Sequence, residues 1–110
     1  MPNGIRRGYL GLGGQTAQLQ RRLVLDHQLK AGNGMLVLHV EPGSPAQTAG
    51  IREGDVIVGF AGAPVGGVDD LHRLLTEGRI GVGTPLTFIR RAEKRELVVV
   101  PVESRPAGEA

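Results

Sequence analysis

Residues 43–60, GSPAQTAGIREGDVIVGF, contain the clearest local structural signals of the chain. Ser44 is a favourable helix N-cap, and Pro45 fits the first helical position because it has no N–H to leave unpaired there. Gly50 is suited to the left-handed position just past a helix end, so residues 46–49 are predicted to form one short helix. After a second turn at Gly54, DVIVGF (55–60) has the apolar, β-branched composition of a strand. This stretch predicts a short helix that leads directly into a strand.

Upstream of this stretch, the sequence predicts a strand, a helix and a second strand. Residues 9–16 form a short first strand interrupted by glycine, and the apolar spacing of residues 18–29 predicts a helix. AGNG (31–34) would end that helix, and MLVLHV (35–40) is a nearly continuous apolar run of strand length. The connection over 15–34 is long for a strand–turn–strand unit, and its helix would either cap the domain or contact a neighbouring one.

Downstream, a loop over 61–67 with a minimal strand at 64–65 leads to the best predicted helix, 68–77. Asp69 and Asp70 lie in its first turn, where negative charge is favourable, and Gly78 closes it. TPLTFIRR (84–91) and ELVVVPV (96–102) then predict a hairpin around the charged turn AEKR (92–95). Few short strands around two or three helices indicate an α+β, mainly β domain, built as a small, partly open barrel.

Composition limits the possible functions. The chain has 110 residues with a formal charge of +2, three aromatic residues and no cysteine. A disulfide framework and a thiolate metal site are therefore excluded, and base-stacking platforms for nucleic acid are not expected. No apolar run is long enough to span a membrane, and the start MPNGIRR does not resemble a signal peptide.

No residue pattern indicates catalysis or metal binding. Ser44 is explained as a helix cap and Ser104 belongs to the C-terminal tail, so neither is predicted to act as a nucleophile beside a base. His27, His39 and His72 lack metal-ligand spacing, and an outward-facing histidine explains His39 adequately. We therefore expect a binding module that needs no metal or cofactor.

The run Tyr9-Leu10-Gly11-Leu12, inside RRGYLGLGG (6–14), poses a separate question, because glycine weakens a strand interior. One explanation is a simple bulge. The other is close approach of a ligand or another backbone to Gly11, where consecutive N–H groups would form an anion-binding nest.

Two longer stretches resemble a known family. GSPAQTAGIREGDVIVGFAGAPV (43–65), followed by the helix VDDLHRLL (68–75), resembles a bacterial PDZ domain. RRGYLGLGG is similar to the first segment of the PDZ domain in HtrA/Deg-type, trypsin-like serine proteases. The resemblance covers about residues 6–102, leaving 1–5 as a linker and 103–110 as a flexible tail. It implies a PDZ-like, partly open barrel or sandwich of five to six short strands with two to three helices, in the circularly permuted strand order of bacterial PDZ domains.

The resemblance also implies where a ligand binds. The carboxylate-binding loop would consist of Tyr9, Leu10, Gly11 and Leu12, with Leu10 and Leu12 lining the pocket for the last peptide side chain. A peptide would add as a strand in a groove formed by Gly13, Gly14, Val68, His72 and Leu75. Helical spacing alone would also allow Leu75 in the core, and His72 interrupts the apolar wall. Arg6 or Arg7 would support the carboxylate site or would form a solvated basic pair.

The expected function is non-catalytic capture of hydrophobic C-termini of unfolded or envelope proteins. Such a domain would regulate, or deliver substrates to, the serine protease domain of a longer chain in the bacterial periplasm or envelope. Two alternatives remain open at this point. The domain could belong to a site-2-type or C-terminal processing protease or a secretion component, or it could be a spacer or oligomer contact without a peptide ligand.

Overall fold

A computed structural model describes residues 6–104, which contain a six-stranded antiparallel sheet, a separate two-stranded sheet and three short helices. Five strands are five to eight residues long and three have only two residues. The strands are β1 (Gly8–Tyr9), β2 (Leu12–Gln18), β3 (Asn33–Val40), β4 (Val56–Phe60), β5 (Ala63–Pro64), β6 (Thr84–Arg90), β7 (Glu93–Val99) and β8 (Val102–Glu103). The helices are α1 (Arg21–Asp26), α2 (Pro45–Ala49) and α3 (Val68–Leu74), and a 3₁₀ turn covers Glu77–Arg79. The predicted mainly β class with two to three helices is confirmed.

The main sheet has the order β2-β3-β4-β6-β7, with β5 paired to β4. All of its pairings are antiparallel, and β2 lies at one edge. Separately, β1 pairs with β8, so the two ends of the domain meet. The predicted first strand is therefore divided in two, and only its second part belongs to the main sheet.

The local signals around α2 are confirmed in detail. Ser44 caps the helix, with its hydroxyl oxygen accepting a hydrogen bond from the Gln47 N–H at 3.2 Å. Pro45 is the first helical residue, and Gly50 ends the helix in the left-handed conformation with φ of 104°. Ile51 then enters the core. The sequence determines this element locally.

The helix predicted over 18–29 is shorter than expected, because the β2–β3 ladder takes its first residues. The ladder extends to the pair Gln18 and Asn33, and the Leu19 N–H donates to the Gly32 carbonyl at 2.8 Å. Only Arg21–Asp26 remains helical, with Leu25 62% exposed. Just after α1, His27 Nε2 lies 2.8 Å from the Ala92 carbonyl oxygen, so this connection contacts the β6–β7 turn of the same domain.

The predicted turn over 92–95 is wrong, because the hairpin closes earlier and more tightly. Arg90 pairs with Glu93, which leaves Arg91 and Ala92 as a two-residue loop with φ of 52° and 65°. Two consecutive positive φ values are typical of a type I′ turn, which usually contains Asn or Gly. Arg-Ala gives no such signal in the sequence.

Helix α3 ends at Leu74, three residues before the predicted end. Its last carbonyl groups have tertiary partners: the Arg7 guanidinium donates to the His72 carbonyl, and the Gly8 N–H donates to the Leu75 carbonyl at 3.0 Å. The predicted final strand 96–102 is also interrupted near Pro101, which has no N–H for a ladder. Its last residue continues as β8, so paired structure extends to Glu103, one residue past the predicted boundary. The predicted linker 1–5 and residues 105–110 of the predicted tail lie outside the described residues.

The core lies between the sheet and helices α2 and α3, and it includes Phe60, Ile57, Leu71 and Leu86. An ion pair between Asp55 and Arg90 lies at the edge of the core. The Asp55 carboxylate, 2% exposed, receives two hydrogen bonds from the Arg90 guanidinium at 2.7 and 2.8 Å. The hydrogen bond that the Arg90 guanidinium donates to Asp55 raises the pKa of Arg90, so Arg90 stays positively charged.

Candidate functional site

The turn between β1 and β2, residues 10–11, is held by hydrogen bonds to its carbonyl groups. The Leu10 carbonyl accepts from the Ala46 N–H at 2.9 Å, and the Gly11 carbonyl accepts from the Glu41 N–H at 2.8 Å. The turn is therefore fixed against both the start of α2 and the residue that follows β3.

Glycine is required at position 11 because Ser44 lies where a side chain would otherwise project. Its φ is +83°, and a Cβ built there would lie 2.2 Å from Cβ and 2.7 Å from Oγ of Ser44. The group in closest contact with Gly11 is thus the same serine that caps α2. Only glycine suits this position, because the backbone is left-handed and Ser44 leaves no space for a side chain. The explanation of Gly11 as a simple bulge is therefore insufficient.

The carbonyl groups of the turn accept hydrogen bonds from neighbouring residues, whereas its N–H groups do not donate to the described part of the domain. Within residues 6–104, no acceptor takes a hydrogen bond from the N–H of Leu10 or Gly11. Both residues are buried, and buried backbone N–H groups are nearly always paired in native proteins. Leu12 is already part of β2, opposite Val40. Within residues 6–104, the turn therefore contains two buried backbone donors that have no hydrogen-bond acceptor.

A groove of about 360 Å³ begins at this turn and runs between the β2 edge and α3. Seven of the residues predicted for the site line it: Tyr9, Gly11, Leu12, Gly13, Gly14, Val68 and His72. The sequence also predicts Leu10 and Leu75 in this lining, but the structure buries both in the hydrophobic core at 0% and 1% exposure. The side chains of Leu10 and Leu75 therefore anchor the turn and the end of α3 in the core instead of lining the groove.

The groove is closed where β2 and α3 meet. The Val68 N–H donates to Thr16 Oγ1 at 3.2 Å, and a Cβ at Gly67 would lie 2.3 Å from the same oxygen. A side chain at residue 67 would force the helix away from the strand. The accessible part of the β2 edge therefore runs from Leu12 to Thr16.

Three further residues line the groove but are not predicted from the sequence: Met35, His39 and Glu41. They lie on or just after β3, behind the β2 edge. His39 Nε2 is 2.9 Å from Glu41 Oε2. Within the described chain, Glu41 is the one lining residue with a formal charge at neutral pH. Their contribution depends on the β2–β3 register, which a single sequence does not reveal.

Both arginines predicted near the site are engaged elsewhere. The Arg6 guanidinium pairs with Glu103 at 2.9 Å and with Glu77 at 3.4 Å, and the hydrogen bond to Glu103 raises the pKa of Arg6. The Arg7 guanidinium donates to the His72 carbonyl. The two side chains tie the first described residues to α3, the 3₁₀ turn and β8.

A second cavity, of about 690 Å³, lies on the other side of the turn, between α2 and residues 98–103. It includes three exposed valines, Val98, Val100 and Val102. It does not reach the β2 edge. Among residues 6–104, no helix is long and apolar enough to cross a bilayer.

Comparison with known proteins agrees with this architecture. The PDZ domain family matches residues 8–102. A protein of Hahella chejuensis named as a probable periplasmic, DegP-like serine endoprotease is 31% identical over 96% of this chain. A putative serine protease of Synechocystis, HhoA, is 36% identical over 66% of this chain. The chain spans only about a fifth of these relatives, 22% and 18% of their respective lengths.

Among solved structures, the HtrA3 PDZ domain bound to the phage-derived ligand FGRWV superposes with a TM-score of 0.64. It is 23% identical, and the match covers 90% of this chain and 89% of the other. At this identity the likeness concerns the fold. The family match and the sequence relatives together establish that the chain is a non-catalytic domain of the PDZ family, of the kind found in HtrA/DegP-like serine proteases.

Proposed function

We propose that this domain binds the C-terminal segment of a protein or peptide that ends in a free carboxylate and an apolar side chain. The observation that carries the proposal is the turn over residues 10–11. It leaves the N–H groups of Leu10 and Gly11 for an outside acceptor, directly at the start of an open strand edge. A carboxylate has the charge and the lone pairs that such a nest of donors binds.

The edge position of β2 supports strand addition. An edge strand presents backbone groups that a peptide strand can pair with, and α3 provides the opposite wall. On α3, Val68 gives this wall an apolar surface and His72 adds a polar group, while Leu12 and Met35 add apolar surface from the sheet. The close contact of Thr16 with Gly67 and Val68 ends the groove on the side away from the turn.

Peptide-bound structures of proteins with the same fold are consistent with this function. The HtrA3 PDZ domain was solved with the ligand FGRWV, and the HtrA-type protease AlgW was solved with a decapeptide. We infer for this chain the same class of ligand, namely exposed C-termini of unfolded or envelope proteins. In a longer protein, the domain would deliver such segments to a serine protease domain or regulate it. The naming of relatives as periplasmic endoproteases supports a periplasmic or envelope location.

The test compares two eight-residue peptides that end in valine and differ only at the terminus, one a free acid and the other an amide. Calorimetry should give a micromolar affinity for the acid, about −8 kcal/mol, and a loss of about tenfold or more for the amide. The amide loses its charge and one acceptor oxygen, so its hydrogen bonds to the turn are weaker. Equal affinities would refute the assignment of the turn as a carboxylate site.

A second candidate function is a contact domain without a peptide ligand. Val98, Val100 and Val102 favour it, because three exposed valines on one cavity form a surface that another domain could cover. A C-terminal peptide library distinguishes the two. Failure of every free-acid peptide to bind would favour the contact function.

A further inference from the structure

Glu41 and His39 lie in the groove beside a strand residue that has no side chain. Gly13 pairs with His39 across the β2–β3 ladder, so the two residues share one face of the sheet. A Cβ at Gly13 would meet only the Cβ of His39 within 4 Å, at 3.5 Å. The surface above Gly13 is therefore open as far as His39 and the Glu41 carboxylate that contacts it.

We propose that Gly13, His39 and Glu41 form a subsite for a basic side chain, lysine or arginine, at the penultimate residue of the bound peptide. The proposal rests on the function proposed above and identifies the ligand more closely. If the terminal carboxylate binds at Leu10 and Gly11, the last residue lies beside Leu12 and the penultimate residue lies beside Gly13.

The face of the sheet follows from strand geometry. Directly paired residues of antiparallel strands project their side chains to the same face. The penultimate side chain thus lies on the face of Gly13 and His39, whereas the preceding residue turns to the other face. Strands are about 4.8 Å apart, and the four-carbon stem of lysine is long enough to cross one strand position occupied by glycine. Its ammonium group then reaches the Glu41 carboxylate.

The charge of the groove determines which side chain this position favours. Of the groove-lining residues within 6–104, Glu41 alone carries a formal charge at neutral pH. His39 holds the Glu41 carboxylate by a 2.9 Å hydrogen bond and adds an aromatic surface for the apolar stem of the ligand side chain. A glutamate at the penultimate position would instead meet a like charge.

The experiment measures three free-acid peptides of eight residues that all end in valine and have lysine, glutamine or glutamate at the penultimate position. Because the pair is exposed, with Glu41 54% accessible, the expected preference is modest. Lysine should bind about threefold tighter than glutamine at low salt, and glutamate should bind weaker than glutamine. The differences should shrink at about 0.5 M salt because screening reduces the interaction of exposed charges.

The Glu41→Gln variant tests the assigned partner. Glu41 also lies next to the turn, so removing its charge can change the affinity for every acidic-terminus peptide. The ratio of the affinities of the lysine and glutamine peptides removes that common effect, as in a double-mutant cycle. This ratio should fall from about three to about one in Glu41→Gln. It should be retained in Glu96→Gln, which removes an exposed carboxylate from β7.

A further control moves the lysine one position earlier in the peptide, where it faces away from Glu41 and should give no preference that depends on this residue. Equal affinity of the lysine and glutamine peptides at low salt, or a preference that survives Glu41→Gln, would overturn the subsite. In that case acid-dependent binding would still support the proposed function. Absence of binding by all of the free-acid peptides would overturn both.

Discussion

Gly11 and Ser44 connect two parts of the sequence that are more than thirty residues apart. The serine caps α2 through its hydroxyl oxygen, and its Cβ occupies the space beside Gly11 in which a side chain would otherwise lie. The turn at Gly11 and the start of α2 at Ser44 therefore pack directly against each other. Ser44 packs against Gly11, and the N–H groups of Ala46 and Glu41 bind the carbonyl groups of Leu10 and Gly11. The proposed ligand would use the N–H groups of the same turn.

Replacing Gly11 with alanine should destabilise the domain by about 3 kcal/mol. The left-handed backbone adds about 1–2 kcal/mol of strain, and overpacking against Ser44 adds about 1–3 kcal/mol. Gly43→Ala is the matched control, because Gly43 has φ of +75° but no atom within 4 Å of its Cβ position. It should lose only about 1–2 kcal/mol. Urea unfolding measures both, and equal losses would show that the contact with Ser44 is unimportant.

Helix α3 forms one wall of the groove and is fixed at its start by Asp70. Its carboxylate accepts from the Arg73 guanidinium at 2.8 Å and from the Gly66 N–H at 2.7 Å. The hydrogen bond from Arg73, followed by the one from Gly66, lowers the pKa of Asp70. A lowered pKa in the folded state means that the ionised carboxylate stabilises the fold at neutral pH. This contribution is lost as the pH falls through the folded value.

Asp70→Asn should therefore lower the urea midpoint at pH 7, and its difference from the wild type should decrease toward about pH 3. Asparagine keeps an acceptor for Gly66 but loses the charge that pairs with Arg73. Asp69→Asn removes an exposed carboxylate from the same helical turn and should shift the midpoint much less. A deficit in Asp70→Asn that is equally large at both pH values would contradict the role of the charge.

The sequence predicts elements well where the decisive contacts are local. The signals of α2 all lie within seven residues, from Ser44 to Gly50, and each is found as predicted. Helix α1 differs because its first predicted residues pair with β3, and the end of α3 differs because Arg7 and Gly8 bind its last carbonyl groups. The seven residues of the expected site that line the groove lie on the motifs themselves. His39 and Glu41 were missed because the long-range register brings them to the site.

At the scale of the whole domain, the two ends of the described chain meet behind the turn. β1 pairs with β8, the Ser104 N–H donates to the Arg7 carbonyl at 2.7 Å, and Arg6 pairs with Glu103. β1 leads directly into residues 10–11, so its position determines where the N–H groups of the turn lie. Both residues of β8 are exposed, so β8 contributes little to the core.

A chain that ends at Pro101 should therefore fold cooperatively but bind free-acid peptides more weakly. Without β8, the turn must be ordered when the peptide binds, and ordering one residue costs about 1–2 kcal/mol, or about tenfold in affinity. A chain that ends at Ser104 keeps β8 and should bind like the full sequence. Calorimetry with the valine-ending acid peptide measures affinity, and urea unfolding reports stability separately. Unchanged affinity in the chain ending at Pro101 would show that the turn is held by α2 and β3 alone, through the Leu10 and Gly11 carbonyl groups.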